Sequence, residues 1–121
     1  TQGKQPMAQF NRLSPSRAEL LFLLLEELGE AQQIIGKVLR HGYESRHPDG
    51  GPTNRQLLEK EMGDVLAALH LLTLSDSLGA GSLNMKDILR AKEEKFYKVI
   101  KYLHHQGSED LYFDRLYKRC G

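Results

Sequence analysis

Tryptophan is absent from the sequence, cysteine occurs once, and no apolar run is long. The lone cysteine, Cys120, cannot form a disulfide within the chain, so we expect the protein in a reducing compartment, the cytoplasm. No stretch reaches the roughly 18 uninterrupted apolar residues of a transmembrane helix, so we expect no membrane partner. A net charge of +1 gives no general reason to expect a nucleic-acid partner, and any electrostatic ligand must be bound by a local cluster of charges.

Apolar residues account for 40% and charged residues for 27% of the 121 positions, a balance typical of a folded chain with a single core. We predict a flexible N-terminal arm over residues 1–12, an all-α domain over 13–106, and a short helix or tail over 107–121. The all-α assignment follows from apolar spacing that is helical throughout and from the lack of strand-like alternation.

The clearest helix signal opens at Ser14. Ser14 is a good N-cap and Pro15 suits the first helical position, so a first helix is expected from residue 15 to about 40. Gly42 then provides a stop, and the glycine- and proline-rich stretch 42–53 predicts a loop. Two further helices follow by the same criteria: roughly 54–77, capped by Thr53 or Asn54, and roughly 84–105, capped by Ser82 or Asn84.

The predicted elements also indicate how the chain assembles. Short connections between the helices favour an antiparallel bundle of three to four helices. A bundle of this size leaves one apolar face poorly covered, so we expect a homodimer or a homotetramer to complete it.

Glutamates interrupt the apolar run of the first helix, in the stretch LLFLLLEELGEAQQII at residues 20–35. At about 100° per residue, Glu27 falls in the middle of the apolar face and Glu30 at its edge. Glu26 falls further round, towards solvent. Two of the three glutamates therefore do not lie on the polar side of the helix.

The second helix repeats this arrangement in LLEKEMGDVLAALHLL. Glu61 falls in the middle of the apolar face and Asp64 at its edge, whereas Glu59 and Lys60 point elsewhere. Each helix thus presents two carboxylates at positions i and i+3, a spacing at which side chains are neighbours on a helix surface.

Four carboxylates that face one interior cannot all stay ionised unless positive charge is present. They can share protons, form salt bridges with lysine or arginine, lie near solvent at a helix edge, or bind cations. Ligands made only of oxygen suit hard cations, Mg²⁺ first and Mn²⁺ or Ca²⁺ next. One such pair alone would favour the salt-bridged or edge arrangement, but two pairs on adjacent apolar faces favour a cation.

The motif EELGE followed by EKEMGD, which is ExxE and then ExxD on successive helices, resembles the MazG-like all-α nucleoside triphosphate pyrophosphohydrolases. Relatives of that family include the dimeric dUTPases and phosphoribosyl-ATP pyrophosphohydrolase. The resemblance covers about residues 17–100. It implies Mg²⁺-dependent hydrolysis of a (d)NTP between the α and β phosphates, which gives a (d)NMP and pyrophosphate.

The same resemblance implies a role for each carboxylate. Glu27, Glu30, Glu61 and Asp64 match the Mg²⁺ ligands of the family, and Glu26 matches the first glutamate of its EExxE form, which would help to position water. These five residues form the predicted catalytic set. Either Glu26 or Glu30 could accept the proton from the attacking water, and spacing does not choose between them.

Basic side chains are expected to meet the remaining phosphate oxygens. Lys37 lies two turns beyond Glu30 and could reach the same pocket, and Arg40 and Arg46 are further candidates. Lys92 and Lys95 lie where relatives carry basic or amide residues that face phosphate. For each of these five cations, ordinary surface charge is at least an equally good reading. For base or ribose recognition we select Asn54 and His41.

Two other functions fit parts of the pattern. Ferritin-like di-iron proteins also use carboxylates within a helical bundle, but their signature places Glu-x-x-His on two helices. The i+3 partners in this chain are Glu30 and Asp64, so iron is disfavoured. A non-catalytic helical module, in which the acidic pairs hold a structural ion or bind a partner, stays open as the alternative.

Overall fold

A computed structural model describes residues 10–74 and 83–106 of the chain. It contains a short 3₁₀ turn, Phe10–Arg12, and three α-helices: α1 (Pro15–His41), α2 (Asn54–Leu72) and α3 (Met85–Ile100). No strand occurs in these two ranges, and the all-α prediction is confirmed. Within the same ranges, no helix combines the length and the apolar character needed to cross a membrane. The predicted arm up to residue 9 and the predicted helix or tail over 107–121 lie outside the described residues.

Helix α1 begins and ends where the sequence predicts. The Ser14 side chain accepts a hydrogen bond from the backbone N–H of Arg17 at 3.2 Å, and Pro15 occupies the first helical position. At the other end Gly42 has φ 89°, and its N–H donates to the Val38 carbonyl at 2.7 Å. This left-handed conformation suits glycine, which has no Cβ to clash with the backbone.

Helix α2 begins as predicted but ends early. Thr53 is the N-cap, with a capping box in which Thr53 N–H donates to Gln56 Oε1 and Gln56 N–H donates to Thr53 Oγ1. The helix ends at Leu72 rather than at residue 77. The Thr73 hydroxyl donates to the His70 carbonyl at 3.0 Å and so competes with the helical hydrogen-bond pattern.

Helix α3 also begins where predicted and ends early. Asn84 is the N-cap and accepts from the Asp87 N–H at 3.0 Å, as predicted. The helix ends at Ile100 instead of residue 105. The Tyr102 N–H donates to the Val99 carbonyl, three residues earlier, and this tighter bond ends the α-helical pattern.

The chain divides into two compact units between Leu83 and Asn84. In the first unit α2 turns back along α1, since the backbone N–H of Asn54 donates to the Ser45 carbonyl at 2.9 Å and that of Arg55 donates to the Tyr43 carbonyl at 2.8 Å. These bonds join the end of α1 to the start of α2, so the two helices form an antiparallel hairpin. The buried apolar side chains of this hairpin are Ala31, Ala68 and Leu72.

Candidate functional site

The four predicted metal ligands lie together in the hairpin. Glu27 and Glu30 of α1 and Glu61 and Asp64 of α2 each place one carboxylate oxygen within 4.8 Å of the others. We call this set the carboxylate cluster. The two helices bring it together because each pair occupies positions i and i+3 on its helix, which point the same way, and the antiparallel hairpin turns the two pairs towards each other.

Burial in the cluster is uneven and leaves two oxygens without partners. Glu61 is 8% exposed, Glu27 and Asp64 are half-buried, and Glu30 is exposed. Oε2 of Glu27 and Oε2 of Glu61 are both buried without a hydrogen-bond partner among the described residues. Buried oxygens of this kind are costly because they have lost water and gained no other donor.

The cluster raises the pKa of Glu27 above its ordinary value. Burial is the largest cause, followed by repulsion from Glu30, Asp64 and Glu61. All of these effects penalise the ionised form of Glu27 or favour its protonated form. The carboxylate cluster therefore concentrates more negative charge than the neighbouring residues stabilise.

The sequence analysis predicted that the Lys60 side chain points away from the carboxylate pairs, but the structure places it beside Asp64 and Glu61. Its Nζ lies 2.7 Å from Asp64 Oδ2 and 3.6 Å from Glu61 Oε1. The long, flexible lysine side chain reaches the residue one turn further on, as the i, i+4 spacing allows. This hydrogen bond with Asp64, together with the two negative charges, raises the pKa of Lys60.

One lysine does not balance four carboxylates. Lys60 contacts the α2 pair, and no salt bridge to Glu27 or Glu30 occurs among the described residues. The salt-bridged arrangement weighed from the sequence is thus present at Asp64 and incomplete at the α1 pair. The signal that sequence reasoning missed is the Lys60–Asp64 spacing itself, which is that of a helical ion pair.

The donor set fits a divalent cation of the hard class. All the ligand atoms are carboxylate oxygens, and a cation among them would give partners to the orphaned oxygens of Glu27 and Glu61. Glu26 is exposed on α1 and does not belong to the cluster. Its predicted part in catalysis stays a prediction.

A cavity of about 500 Å³ lies at the turn of the hairpin, where the end of α1, the loop 42–53 and the start of α2 meet. We call it the cationic cavity because of the side chains that line it. It is lined in part by Lys37, Arg40, His41, Arg46, His47 and Asn54. Five of the seven residues selected from the sequence for phosphate, base or ribose binding therefore lie around one cavity: Lys37, Arg40, His41, Arg46 and Asn54.

Asn54, the first residue of α2, lines this cavity, and its side chain also makes a structural hydrogen bond. It is 6% exposed, and its amide nitrogen donates to the Gly42 carbonyl at 3.1 Å. That bond ties the first residue of α2 to the end of α1. His41 is the last residue of α1 and is exposed.

Lys92 and Lys95 lie on α3, in the second unit. Both are exposed, and both line a cavity of about 370 Å³ together with Phe96, Val99, Ile100 and Leu103. The other side chains around that cavity are apolar. The phosphate-binding role of these two lysines stays a prediction.

Comparison with known proteins identified no relative of this chain. No protein-family model, no curated protein and no solved structure matches this chain.

Proposed function

We propose that the protein is a Mg²⁺-dependent nucleoside triphosphate pyrophosphohydrolase of the MazG-like type. The observation that carries the proposal is the carboxylate cluster, in which four oxygens from the two helices lie within 4.8 Å of one another. Two buried, unpartnered oxygens in the cluster add support, because they are the kind of ligand that a hard cation requires.

In this proposal Glu27, Glu30, Glu61 and Asp64 hold the cation. A bound Mg²⁺ supplies concentrated positive charge, which neutralises phosphate oxygens and makes nearby water more acidic. Lys60 orients Asp64 through their hydrogen bond of 2.7 Å and limits the charge that the cluster carries before the cation binds. The exposed carboxylates Glu26 and Glu30 are the candidates that accept the proton from the attacking water.

The reaction consumes one water molecule. The water oxygen bonds to a phosphorus of the α–β linkage as the bridging P–O bond breaks, and one proton passes to a carboxylate and then to solvent. The products are a nucleoside monophosphate and pyrophosphate. Lys37 and Arg40 bind the phosphate oxygens and reduce repulsion between the substrate and the cluster.

A homodimer or homotetramer belongs to the same proposal. Large apolar side chains are exposed along α1, among them Leu25 at 66% and Leu39 at 82%. Exposed apolar side chains in such number are typical of a surface that a second chain covers. At about 100° per residue, Leu25 and Leu39 fall roughly 160° and 120° from Glu27 around α1.

The experiment is a pyrophosphate-release assay with Mg²⁺ across canonical and modified (d)NTPs. We expect pyrophosphate rather than orthophosphate from at least one nucleotide. Glu61→Gln and Asp64→Asn should each abolish the release, whereas Glu59→Gln, an exposed change on the same helix, should leave it intact. Circular dichroism of each variant checks that the helices are retained.

The alternative, a non-catalytic helical module, makes the opposite prediction. A full nucleotide panel that yields no pyrophosphate would leave the cluster as a binding site for a structural ion or a partner. Iron-dependent chemistry finds no support in the cluster, since no histidine is among its four members.

A further inference from the structure

We propose that the cationic cavity binds the terminal phosphates of the substrate, the part that leaves as pyrophosphate, and that it thereby selects nucleoside triphosphates over diphosphates. The selection of substrate rests on the proposed function. The binding of pyrophosphate itself does not, because it requires only the cavity.

The charges around the cavity favour a phosphate. Its lining holds the cations Lys37, Arg40 and Arg46 and the imidazoles of His41 and His47. None of the described lining residues is a carboxylate, although Asp49 Oδ2 lies 3.5 Å from Nδ1 of the lining His47. Arginine in particular matches the planar arrangement of phosphate oxygens.

Arg46 is held in place before any ligand binds. Its Nη1 donates to the Gly51 carbonyl at 3.2 Å, and its backbone pairs with Thr53 in an antiparallel bridge. Gly50 and Gly51 have φ values of 97° and 102°, conformations that glycine adopts without strain. A guanidinium carries five N–H donors, so the bond to Gly51 leaves most of them for an anion.

Lys37 and Arg40 add two cations from the last turns of α1. Neither has an ion-pair partner among the described residues. The Arg40 guanidinium folds back along α1, where its Nη1 would lie 3.2 Å from a Cβ on Gly36. Unpaired cations that converge on one cavity create a positive potential, which attracts a multiply charged anion.

The cavity lies close enough to the carboxylate cluster for one substrate to reach both. Lys37 is two turns beyond Glu30, a rise of about 10 Å along α1, and the lining residue Leu57 is one turn before Glu61, about 6 Å along α2. The Lys37 side chain is long enough to span part of the rise of about 10 Å between its own backbone and Glu30. The scissile linkage can therefore lie at the cluster while the terminal phosphates lie in the cavity.

The first test measures pyrophosphate binding by isothermal titration calorimetry, with no divalent metal present. We expect the wild-type chain to bind pyrophosphate and Arg46→Gln to bind it about tenfold more weakly, since a charge-assisted contact is lost. Lys37→Gln, an exposed change that leaves the loop intact, should also weaken binding. Arg17→Gln, near the start of α1, is the matched control and should bind like the wild type.

The second test compares kcat/KM for a nucleoside triphosphate and the corresponding diphosphate. Arg46→Gln should lower the value for the triphosphate about tenfold and the value for the diphosphate by less, because the diphosphate lacks the γ phosphate and can place only its β phosphate in the cavity. Equal losses on both substrates, or displacement of pyrophosphate by a nucleoside monophosphate, would overturn the proposal in favour of binding at the nucleoside end.

The two tests also separate this inference from the proposed function. If no nucleotide is hydrolysed but pyrophosphate binds in an Arg46-dependent way, the proposed function fails and the phosphate site stands. If nucleotides are hydrolysed and the wild-type chain does not bind pyrophosphate, the phosphate site is wrong and the proposed function stands.

Discussion

Lys60 precedes Asp64 by one helical turn, and its Nζ lies 2.7 Å from the Oδ2 of that carboxylate. The lysine is therefore the cation that the structure already provides to the carboxylate cluster. The Lys60 ammonium group binds one carboxylate oxygen of Asp64, a residue that we also expect to ligate Mg²⁺. Cation binding and the Lys60–Asp64 contact thus act on the same carboxylate.

Replacing Lys60 by glutamine should strengthen Mg²⁺ binding by about two- to fivefold. The substitution releases Asp64 and removes a positive charge near the site, and exposed ion pairs have modest effects of this size. Calorimetric titration of the metal-free protein with Mg²⁺ measures the change. Lys86→Gln, an exposed change on α3, is the control, and an affinity that falls in Lys60→Gln would show that the lysine supports the metal site instead.

Mg²⁺ should raise the melting temperature of the wild-type chain, because the folded state alone presents the cluster. At a concentration one hundred times the dissociation constant, the expected gain is about 2.7 kcal/mol in the free energy of unfolding. Glu61→Gln should gain little from Mg²⁺, since it lacks one of the four carboxylates of the cluster. A thermal melt with and without Mg²⁺ measures both effects, and an unchanged response to Mg²⁺ in Glu61→Gln would exclude this residue as a ligand.

The raised pKa of Glu27 makes metal-free stability depend on pH. Between the ordinary glutamate value, about 4.3, and the higher pKa in the folded state, the folded chain binds more protons than the unfolded chain. Stability therefore falls as pH rises through that window. The loss is complete above the folded-state pKa and absent below the unfolded-state value.

Glu27→Gln isolates this contribution. With chelator present, the wild-type chain should lose more unfolding free energy than the variant as pH rises from about 4.5 to 7.5. Urea unfolding at several pH values measures the two slopes, and the difference between them reports on Glu27, because the other titrating groups are shared. Parallel slopes would mean that the glutamate titrates normally in the folded chain.

The capping box at the start of α2 should matter for stability more than for chemistry. Thr53→Ala removes the hydroxyl that accepts from Gln56 N–H and should cost about 1 kcal/mol in unfolding free energy. Thr53→Ser keeps the hydroxyl and should cost much less. Urea denaturation compares the three proteins, and equal stability of the alanine and serine variants would show that the cap hydrogen bond is not significant here.

Self-association should depend on the exposed side of α1. Leu25→Glu puts a charge where we expect a second chain to pack, and it should reduce the mass measured by light scattering to that of a single chain. Glu19→Gln, an exposed change on the same helix, serves as the control. A wild-type protein that is already monomeric at high concentration would remove the oligomer from the proposal.

Much of the local structure could be read from short stretches. Ser14, Pro15 and Gly42 set the limits of α1, and Thr53 and Asn84 begin the next two helices, because caps act on backbone groups only a few residues away. The early ends of α2 and α3 were not predicted. Hydroxyl groups and tighter hydrogen bonds at those ends compete with the helix by small energies that periodicity does not reveal.

The sequence by itself determined that each of two helices carries a carboxylate pair on its apolar face, because the 3.6-residue period fixes which side chains share a face. Only the tertiary structure decided that Glu27, Glu30, Glu61 and Asp64 converge within 4.8 Å, since convergence depends on the register of α1 against α2. It also decided that Lys60 reaches Asp64 and that the loop closes a cationic cavity around Arg46. The first contact depends on the conformation of the Lys60 side chain, which the i, i+4 spacing permits but does not fix. The second depends on loop geometry, which no helical period sets.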